Sequence, residues 1–337
     1  MSSIDNNSRK SYVSIIIRIA IAAAACWLVF KDFNISVLGS LRISTLLLAI
    51  GLFALGLCLI GLRWWVFMRA QNIHIPLFLA IKLTFLGQFF TNFMPSAVGG
   101  DLIRAWYISR HTNKKLQAAL GVVVDRIVGL LSTFVLAATS YLLFMRGKGV
   151  FQVKQRSGGT ITAFFDKHPV SFYQIVLTLF ILFGVGFLLS SIFNLKRPFK
   201  ILYGHLLHAF GQFRVAISVY YHHPLVLVFG VLITICLQSM VIVSLWLVGR
   251  NLGMTAQLRY YFVFFPLVWV VGAMPISIGG LGILEGGIVL LFVRFTGAEE
   301  DAVKALAICQ RLTLVIASIP GLLVHLSGSH RHEDQSG

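Results

Sequence analysis

A short phrase of proline and paired glycines occurs once in each half of the chain, and each copy interrupts an apolar run. The first copy is Pro95–Gly100 (PSAVGG), the second is Pro275–Gly280 (PISIGG), and a methionine precedes both. Proline lacks a backbone N–H and glycine favours non-helical angles, so a helix breaks at such a phrase. At membrane depth, broken backbone is tolerated only where protein buries it or where it lines a polar cavity. Two breaks at matching positions of two halves are typical of a transporter's central site.

The composition places the rest of the chain in a membrane. Of the 337 residues, 58% are hydrophobic and 12% are charged, against about 25% charged in a soluble domain. We therefore expect an all-α polytopic membrane protein, with residues 1–337 in a single integral membrane domain. The formal net charge of +17 is spread over the loops, which fits anionic lipid headgroups and the bilayer better than nucleic acid. The four cysteines lie in apolar runs without ligand spacing, so neither a metal site nor a cofactor is expected.

Six apolar runs are long enough to span a membrane, which takes roughly 20 residues. The regions on either side of the two breaks are shorter, and we predict re-entrant helical hairpins at 77–108 and 260–295. The first run continues past Cys26, which favours an uncleaved span over a signal peptide. The predicted spans are Tyr12–Phe30, Ile43–Val66, Leu116–Phe144, Phe172–Phe193, Leu225–Val248 and Val303–Leu326.

The order of span, hairpin and span occurs twice, in residues 43–144 and 224–326. Lysine and arginine are in modest excess on the side that holds both termini, which predicts that the N- and C-termini are cytoplasmic. The two hairpins then enter from opposite sides, as in the inverted repeats of many transporters. The intervening residues 145–223 are predicted to form a loop, a span and a cytoplasmic amphipathic helix.

The motifs around the breaks resemble those of a known bacterial family. They are Gly87–Ala105 (GQFFTNFMP, then GGDLIRA), Asp125–Ile127 (DRI) and Pro275–Glu285, which contains GGLGILE. On these residues the chain resembles the lysylphosphatidylglycerol synthase transmembrane-region, or flippase-like domain, family. The aminoacyl-transferase domain of the two-domain members is missing from the sequence. The resemblance therefore implies no synthase activity, but movement of a lipid or lipid-linked headgroup across the bacterial cytoplasmic (inner) membrane.

Three acidic residues, Asp101, Asp125 and Glu285, are predicted to lie at or near membrane depth. A charge there costs several kcal/mol unless it is paired or hydrated, so each is a functional candidate. Asp101 and Glu285 follow the glycine pairs, where half-helices begin. They either cap those half-helices or couple transport to protons, while free N–H groups at the breaks would bind an anion such as phosphate.

Several basic and polar residues accompany these acids. Arg104 lies one helical turn after Asp101, and arginine suits bidentate phosphate contact. Arg126 and Arg311 lie within spans, where each either pairs with a carboxylate or binds substrate, whereas Arg63 is expected to snorkel at the interface. Asn92 and Gln88 share one helix face and either line the cavity or satisfy carbonyls freed before Pro95. The predicted substrate-binding residues are Asn92, Gly99, Gly100, Asp101, Arg104, Asp125, Arg126, Gly279, Gly280, Glu285 and Arg311, with Pro95 and Pro275 as the hairpin breaks.

The sequence predicts a transporter or flippase that moves an anionic phospholipid or a polyprenyl-phosphate-linked lipid between leaflets. Two alternatives remain open: an accessory subunit that presents lipid to a separate synthase or glycosyltransferase, and a secondary transporter of a small anion. The sequence shows no nucleophile with an adjacent base, so catalysis is the least supported function. A side opening between helices would favour lipid. The lipid, the direction, the energy source and any homo-oligomer or partner synthase are left open.

Overall fold

The computed structural model describes residues 23–24, 26–31, 33–93, 99–110, 112, 114–144, 224–273 and 278–326. Within these ranges the chain forms helices and turns, and no β-strand. The breaks at Pro95 and Pro275, the span Phe172–Phe193 and the amphipathic helix of the 145–223 segment lie outside the described residues. The helices with defined bounds are α1 (Ile43–Ala70), α2 (Leu77–Phe93), α3 (Gly99–Arg110), α4 (Lys115–Phe144), α5 (Pro224–Asn251), α6 (Leu258–Gly272), α7 (Ile283–Thr296) and α8 (Glu300–Leu326), with 3-10 turns at Ile35–Ser40 and Ile278–Gly280.

Four of these helices, α1, α4, α5 and α8, are long and apolar enough to cross a membrane. Each contains at least 27 residues, or about 40 Å at 1.5 Å per residue, and exceeds a hydrocarbon core of about 30 Å. The prediction of an all-α, multi-pass membrane protein is confirmed. The described helices account for four of the six predicted spans, and residues 26–30 form the end of another predicted span.

The shorter helices pair as hairpins, as the sequence predicts. In α6 and α7, the rings of Phe264 and Phe292 lie 5.1 Å apart, and Val268 packs against Gly287 nearer the break. From the first contact to the second, the residue number rises along α6 and falls along α7. The two helices are therefore antiparallel. Helices α2 and α3 also pack together, with the Arg104 side chain against Gly87. The opposed orientation of the two hairpins in the bilayer stays a prediction.

The two hairpins meet near their breaks. A Cβ atom on Gly279 would lie 3.0 Å from the backbone oxygen of Asn92, near the end of α2. The largest apolar cluster surrounds the second hairpin and includes Phe264, Phe265 and Phe292, whereas a smaller cluster around Trp64 supports the first. The first hairpin therefore stands beside a less apolar region, in which three of the six buried charged side chains of the described residues lie: Arg63, Arg104 and Asp125.

Candidate functional site

Asp125, near the middle of α4, is the centre of a buried ionic network. Its Oδ1 accepts a hydrogen bond from Arg63 Nε at 2.8 Å, and its Oδ2 accepts one from Arg104 Nη1 at 3.4 Å. All three side chains are buried. One carboxylate thus holds an arginine of α1 and an arginine of α3 against α4.

The snorkelling expectation for Arg63 is wrong. Arg63 Nη1 donates to Thr234 Oγ1 at 2.6 Å and Nη2 donates to the Asp125 carbonyl oxygen at 3.3 Å, so the guanidinium is directed into the bundle. The physical reason is the carboxylate of a neighbouring helix, which supplies a charge partner inside the protein. The position of Arg63 in its apolar run could not show that a carboxylate of another helix lies beside it.

Asp101 extends the network to the edge of the bundle. Its Oδ2 accepts from Arg126 Nε at 2.6 Å, and its Oδ1 lies 3.6 Å from Arg104 Nη1. Arg104 therefore stands between Asp101 and Asp125, and Arg126 is paired with a carboxylate of another helix. With all five groups ionised, three guanidinium groups and two carboxylates leave a net charge of +1.

The network lines a cavity of about 250 Å³ that is bounded by α1, α2, α3, α4, α5 and α6. The cavity brings together four of the predicted site residues, Asp101, Arg104, Asp125 and Arg126. The lining combines these charges with polar side chains and an apolar wall. The polar members are Thr84, Gln88, Thr91, Thr133, Thr234 and Gln238, and the apolar members include Leu57, Ile60, Leu130, Leu237 and Trp269.

Arg104 has unused hydrogen-bonding capacity within this cavity. Its exposed fraction is 6%, and its Nε and Nη2 atoms have no hydrogen-bond partner in the described part of the chain. Its guanidinium carbon lies 4.4 Å from the Trp64 ring centroid, which fixes the plane of the group by a cation–π contact. A buried donor without a partner costs about 1–3 kcal/mol, so an anion in the cavity would gain from both nitrogens.

The second break has a different arrangement. Glu285 Oε2 accepts from the backbone N–H of Gly282 at 2.7 Å, and Oε1 accepts from Arg311 Nε at 2.7 Å. Arg311 Nη1 donates to the Gly279 carbonyl oxygen at 2.8 Å. Glu285 therefore caps its half-helix, which is one of the two roles that the sequence allowed, and the Gly282 N–H is already occupied.

Arg126 and Arg311 hold corresponding positions in the two halves. Arg126 is the eleventh residue after Lys115 at the start of α4, and Arg311 is the eleventh after Glu300 at the start of α8. Each arginine lies about 17 Å along its helix and binds the acid in the first turn of the preceding short helix. The two breaks are thus built on the same acid–arginine pair.

Asn92 joins the halves instead of lining the cavity. Its Nδ2 donates to Ser318 Oγ at 3.0 Å and to the Leu314 carbonyl oxygen at 3.4 Å, both in α8. Gln88, one turn earlier, does line the cavity. Of the other predicted residues, the glycines at 99, 100, 279 and 280 shape the backbone near the breaks.

Sequence reasoning missed the contribution of α5. Thr234 and Gln238 are one turn apart in a helix that is otherwise almost wholly apolar, and both face the cavity. Polar residues at that spacing within a span were the signal that could have identified them. Thr133, in α4, is the third such residue, and it accepts a hydrogen bond from Gln238.

Comparison with known proteins agrees with this architecture. A membrane protein of Methanothermobacter thermautotrophicus described as UPF0104 is 22% identical over 276 residues, which cover 79% of this chain and 80% of that protein. A UPF0104 membrane protein of Pyrococcus horikoshii is 24% identical over 136 residues, or 40% of this chain and 41% of that protein. The pattern that defines the lysylphosphatidylglycerol synthase TM region matches residues 15–321. The chain therefore belongs to the family of the lysylphosphatidylglycerol synthase TM region.

Proposed function

We propose that the protein is a lipid transporter that binds an anionic headgroup in the cavity beside Arg104 and moves it between leaflets. The substrate is an anionic phospholipid or a polyprenyl-phosphate-linked lipid. The observation that carries the proposal is the buried guanidinium of Arg104, a residue of the cavity lining, of which two nitrogens lack hydrogen-bond partners among the described residues. Arginine presents its donors in a planar fork that matches phosphate oxygens.

The charge of the cavity supports an anionic ligand. The five ionised side chains leave one positive charge uncompensated, and most of them are buried, where charge interactions are much stronger than in water. Arg63 is anchored on Asp125 and Thr234, whereas the closest oxygens of Asp101 and Asp125 lie 3.4 Å or more from Arg104. Arg104 is therefore the member of the network that is most available to a ligand.

The position of Arg126 supports a lipid over a small soluble anion. Its side chain is 39% exposed, although it lies about 17 Å along a spanning helix. The neighbouring Val123 and Ile127 on α4 and Leu102 on α3 are also exposed, Leu102 by 63%. A cavity charge that borders an apolar outer surface provides a side route for a headgroup, while the acyl or prenyl tails stay in lipid. A side opening at this point would favour a lipid substrate over a small soluble anion.

The proposal also includes the membrane, the orientation and the partners of the protein. We place it in the bacterial cytoplasmic membrane with both termini cytoplasmic, as the positive residues predict. Its partners are the transported lipid and the bilayer. An accessory role beside a synthase or glycosyltransferase uses the same headgroup site without movement between leaflets, so a transport measurement separates the two functions.

The test is lipid exchange in proteoliposomes. Purified protein should speed the movement of a headgroup-labelled phosphatidylglycerol between leaflets, measured by chemical quenching of the outer label, and the mass of the lipid should not change. Arg104→Gln should slow exchange by about 10- to 100-fold, the equivalent of a lost charge-assisted hydrogen bond of 1.5–3 kcal/mol. Arg311→Gln is the matched control, because it removes the corresponding guanidinium of the other break.

Three results would contradict the proposal. Equal exchange rates in wild type and Arg104→Gln would show that the cavity is not the headgroup site. Specific lipid binding without accelerated exchange would favour the accessory role. A lipid of altered mass after incubation would instead indicate an enzyme.

A further inference from the structure

A second side chain of the cavity lining has a polar atom without a partner among the described residues, and this atom is an acceptor. Gln238, on α5, is 9% exposed, and its Oε1 atom has no hydrogen-bond partner among the described residues. Its other terminal atom, Nε2, donates to Thr133 Oγ1. The described lining residues therefore include an unpartnered acceptor on α5 in addition to the unpartnered donors of Arg104 on α3.

The orientation of the Gln238 amide is fixed by its neighbour. The Thr133 hydroxyl donates to the Gly129 carbonyl oxygen at 2.8 Å. A hydroxyl has one hydrogen, so Thr133 has only its lone pairs left to offer Gln238. The amide must turn its NH₂ group to Thr133, and the carbonyl oxygen stays free for a donor in the cavity.

The charge count narrows the ligand further. The described lining residues carry a net charge of +1 when their five charged side chains are ionised. A phosphodiester brings a single negative charge, whereas a phosphomonoester brings about −1.5 to −2 at neutral pH. The diester neutralises the cavity, and the monoester would leave an excess of buried negative charge.

We propose that the cavity selects a singly charged phosphodiester whose headgroup also carries a hydrogen-bond donor, such as a hydroxyl or an amide N–H. The phosphodiester oxygens accept from Arg104, and the headgroup donor binds Gln238 Oε1. A phosphodiester has acceptor oxygens only, so the donor has to come from the group beyond the phosphate. This inference rests on the proposed function and adds the rule by which the site distinguishes one anionic lipid from another.

The test compares two lipids that differ only in that donor. Dioleoylphosphatidylglycerol and dioleoylphosphatidylmethanol share their acyl chains and charge, but only the glycerol headgroup has hydroxyls. Apparent dissociation constants are measured by native mass spectrometry of the full-length protein during lipid titration. The wild type should bind the glycerol lipid about fivefold more tightly, as one ordinary hydrogen bond allows. A large excess of inorganic phosphate should displace neither lipid, whereas displacement would assign the site to a free anion and overturn the inference.

Two variants test whether Gln238 is the source of the preference for the glycerol lipid. Gln238→Met keeps the length of the side chain but removes the amide oxygen, so the fivefold preference should fall to about one. Gln310→Met is the matched control, because Gln310 is also buried and its Oε1 also lacks a partner in the part of the chain that the structure describes, but it is not among the described lining residues of the cavity. It should keep the full preference.

The outcomes separate this inference from the proposed function. Equal binding of the two lipids by the wild type, a comparison that needs no variant, would overturn the inference and leave the anion site intact. A fivefold preference retained in Gln238→Met would also overturn the inference and leave the anion site intact. If neither lipid binds, or if Arg104→Gln binds both as tightly as the wild type, the proposed function fails and the inference fails with it.

Discussion

The two glycine pairs have the same sequence but different backbone structures. At the first break, Gly99 and Gly100 lie in the opening turn of α3, and a Cβ atom on Gly100 would overlap the Gly87 carbonyl oxygen and the Thr91 hydroxyl. At the second break, Gly279, Gly280 and Gly282 have φ values of 55°, 72° and 78°, in the left-handed region. The first pair thus permits close helix contact, and the second permits a turn.

The chemistry of the two breaks differs in the same way. At the second, Glu285 is sealed by its own half-helix and by Arg311, and the pair is neutral although Arg311 keeps one unpartnered nitrogen. At the first, Asp101 shares two arginines with a network that has excess positive charge and a cavity. This difference supports the proposal that the first break binds substrate, whereas the pairing of Glu285 gives the second break a structural role.

The largest effect expected from this comparison is at Asp125. Asp125→Asn keeps the shape of the side chain but leaves Arg63 buried without a carboxylate and Arg104 with only that of Asp101 at 3.6 Å, which should destabilise the protein by about 3–5 kcal/mol. Glu285→Gln should destabilise it by only about 1–3 kcal/mol, because the amide oxygen can still cap Gly282. Thermal unfolding of the wild type and of both variants is measured in the same detergent. Equal losses at the two sites would mean that the second break depends on charge as much as the first.

The glycine pairs allow a second comparison. Gly100→Ala forces a methyl group into the backbone of α2 and should cost about 3 kcal/mol, at the upper end for an overpacked site. Gly279→Ala puts a side chain into a left-handed conformation and should cost about 1–2 kcal/mol. Gly51→Ala is the control, since no atom lies within 4 Å of its Cβ position, and it should be neutral or slightly stabilising. A larger loss of stability in Gly279→Ala than in Gly100→Ala would contradict the role of Gly100 in close helix contact.

The smallest effect is expected at Asn92, which joins the first hairpin to α8. Asn92→Ala removes hydrogen bonds to Ser318 and Leu314 and should destabilise the protein by about 1 kcal/mol. Because Asn92 does not line the cavity, lipid affinity should stay within a factor of two of the wild-type value in the same titration. A larger loss of affinity would place Asn92 among the substrate contacts, as the sequence predicted.

Much of the architecture follows from local patterns in the chain. Apolar runs of sufficient length predict α1, α4, α5 and α8, and the short runs beside the glycine pairs predict both hairpins. Periodicity and length are properties of contiguous residues, so a sequence displays them directly. Asp101, Arg104, Asp125 and Arg126 were also identifiable, because charged residues in apolar runs are rare and conspicuous.

The chain by itself therefore determined a polytopic helical membrane protein with two broken segments and a small set of intramembrane charges. Only the tertiary structure decided how those groups pair: Arg63 turns inward to Asp125, Arg311 pairs with Glu285, and Gln238 donates to Thr133. The physical reason is that the energy of a buried charge or amide depends on which partners neighbouring helices bring within about 3 Å. Those partners are up to 171 residues away in the sequence, and helix packing alone brings them together.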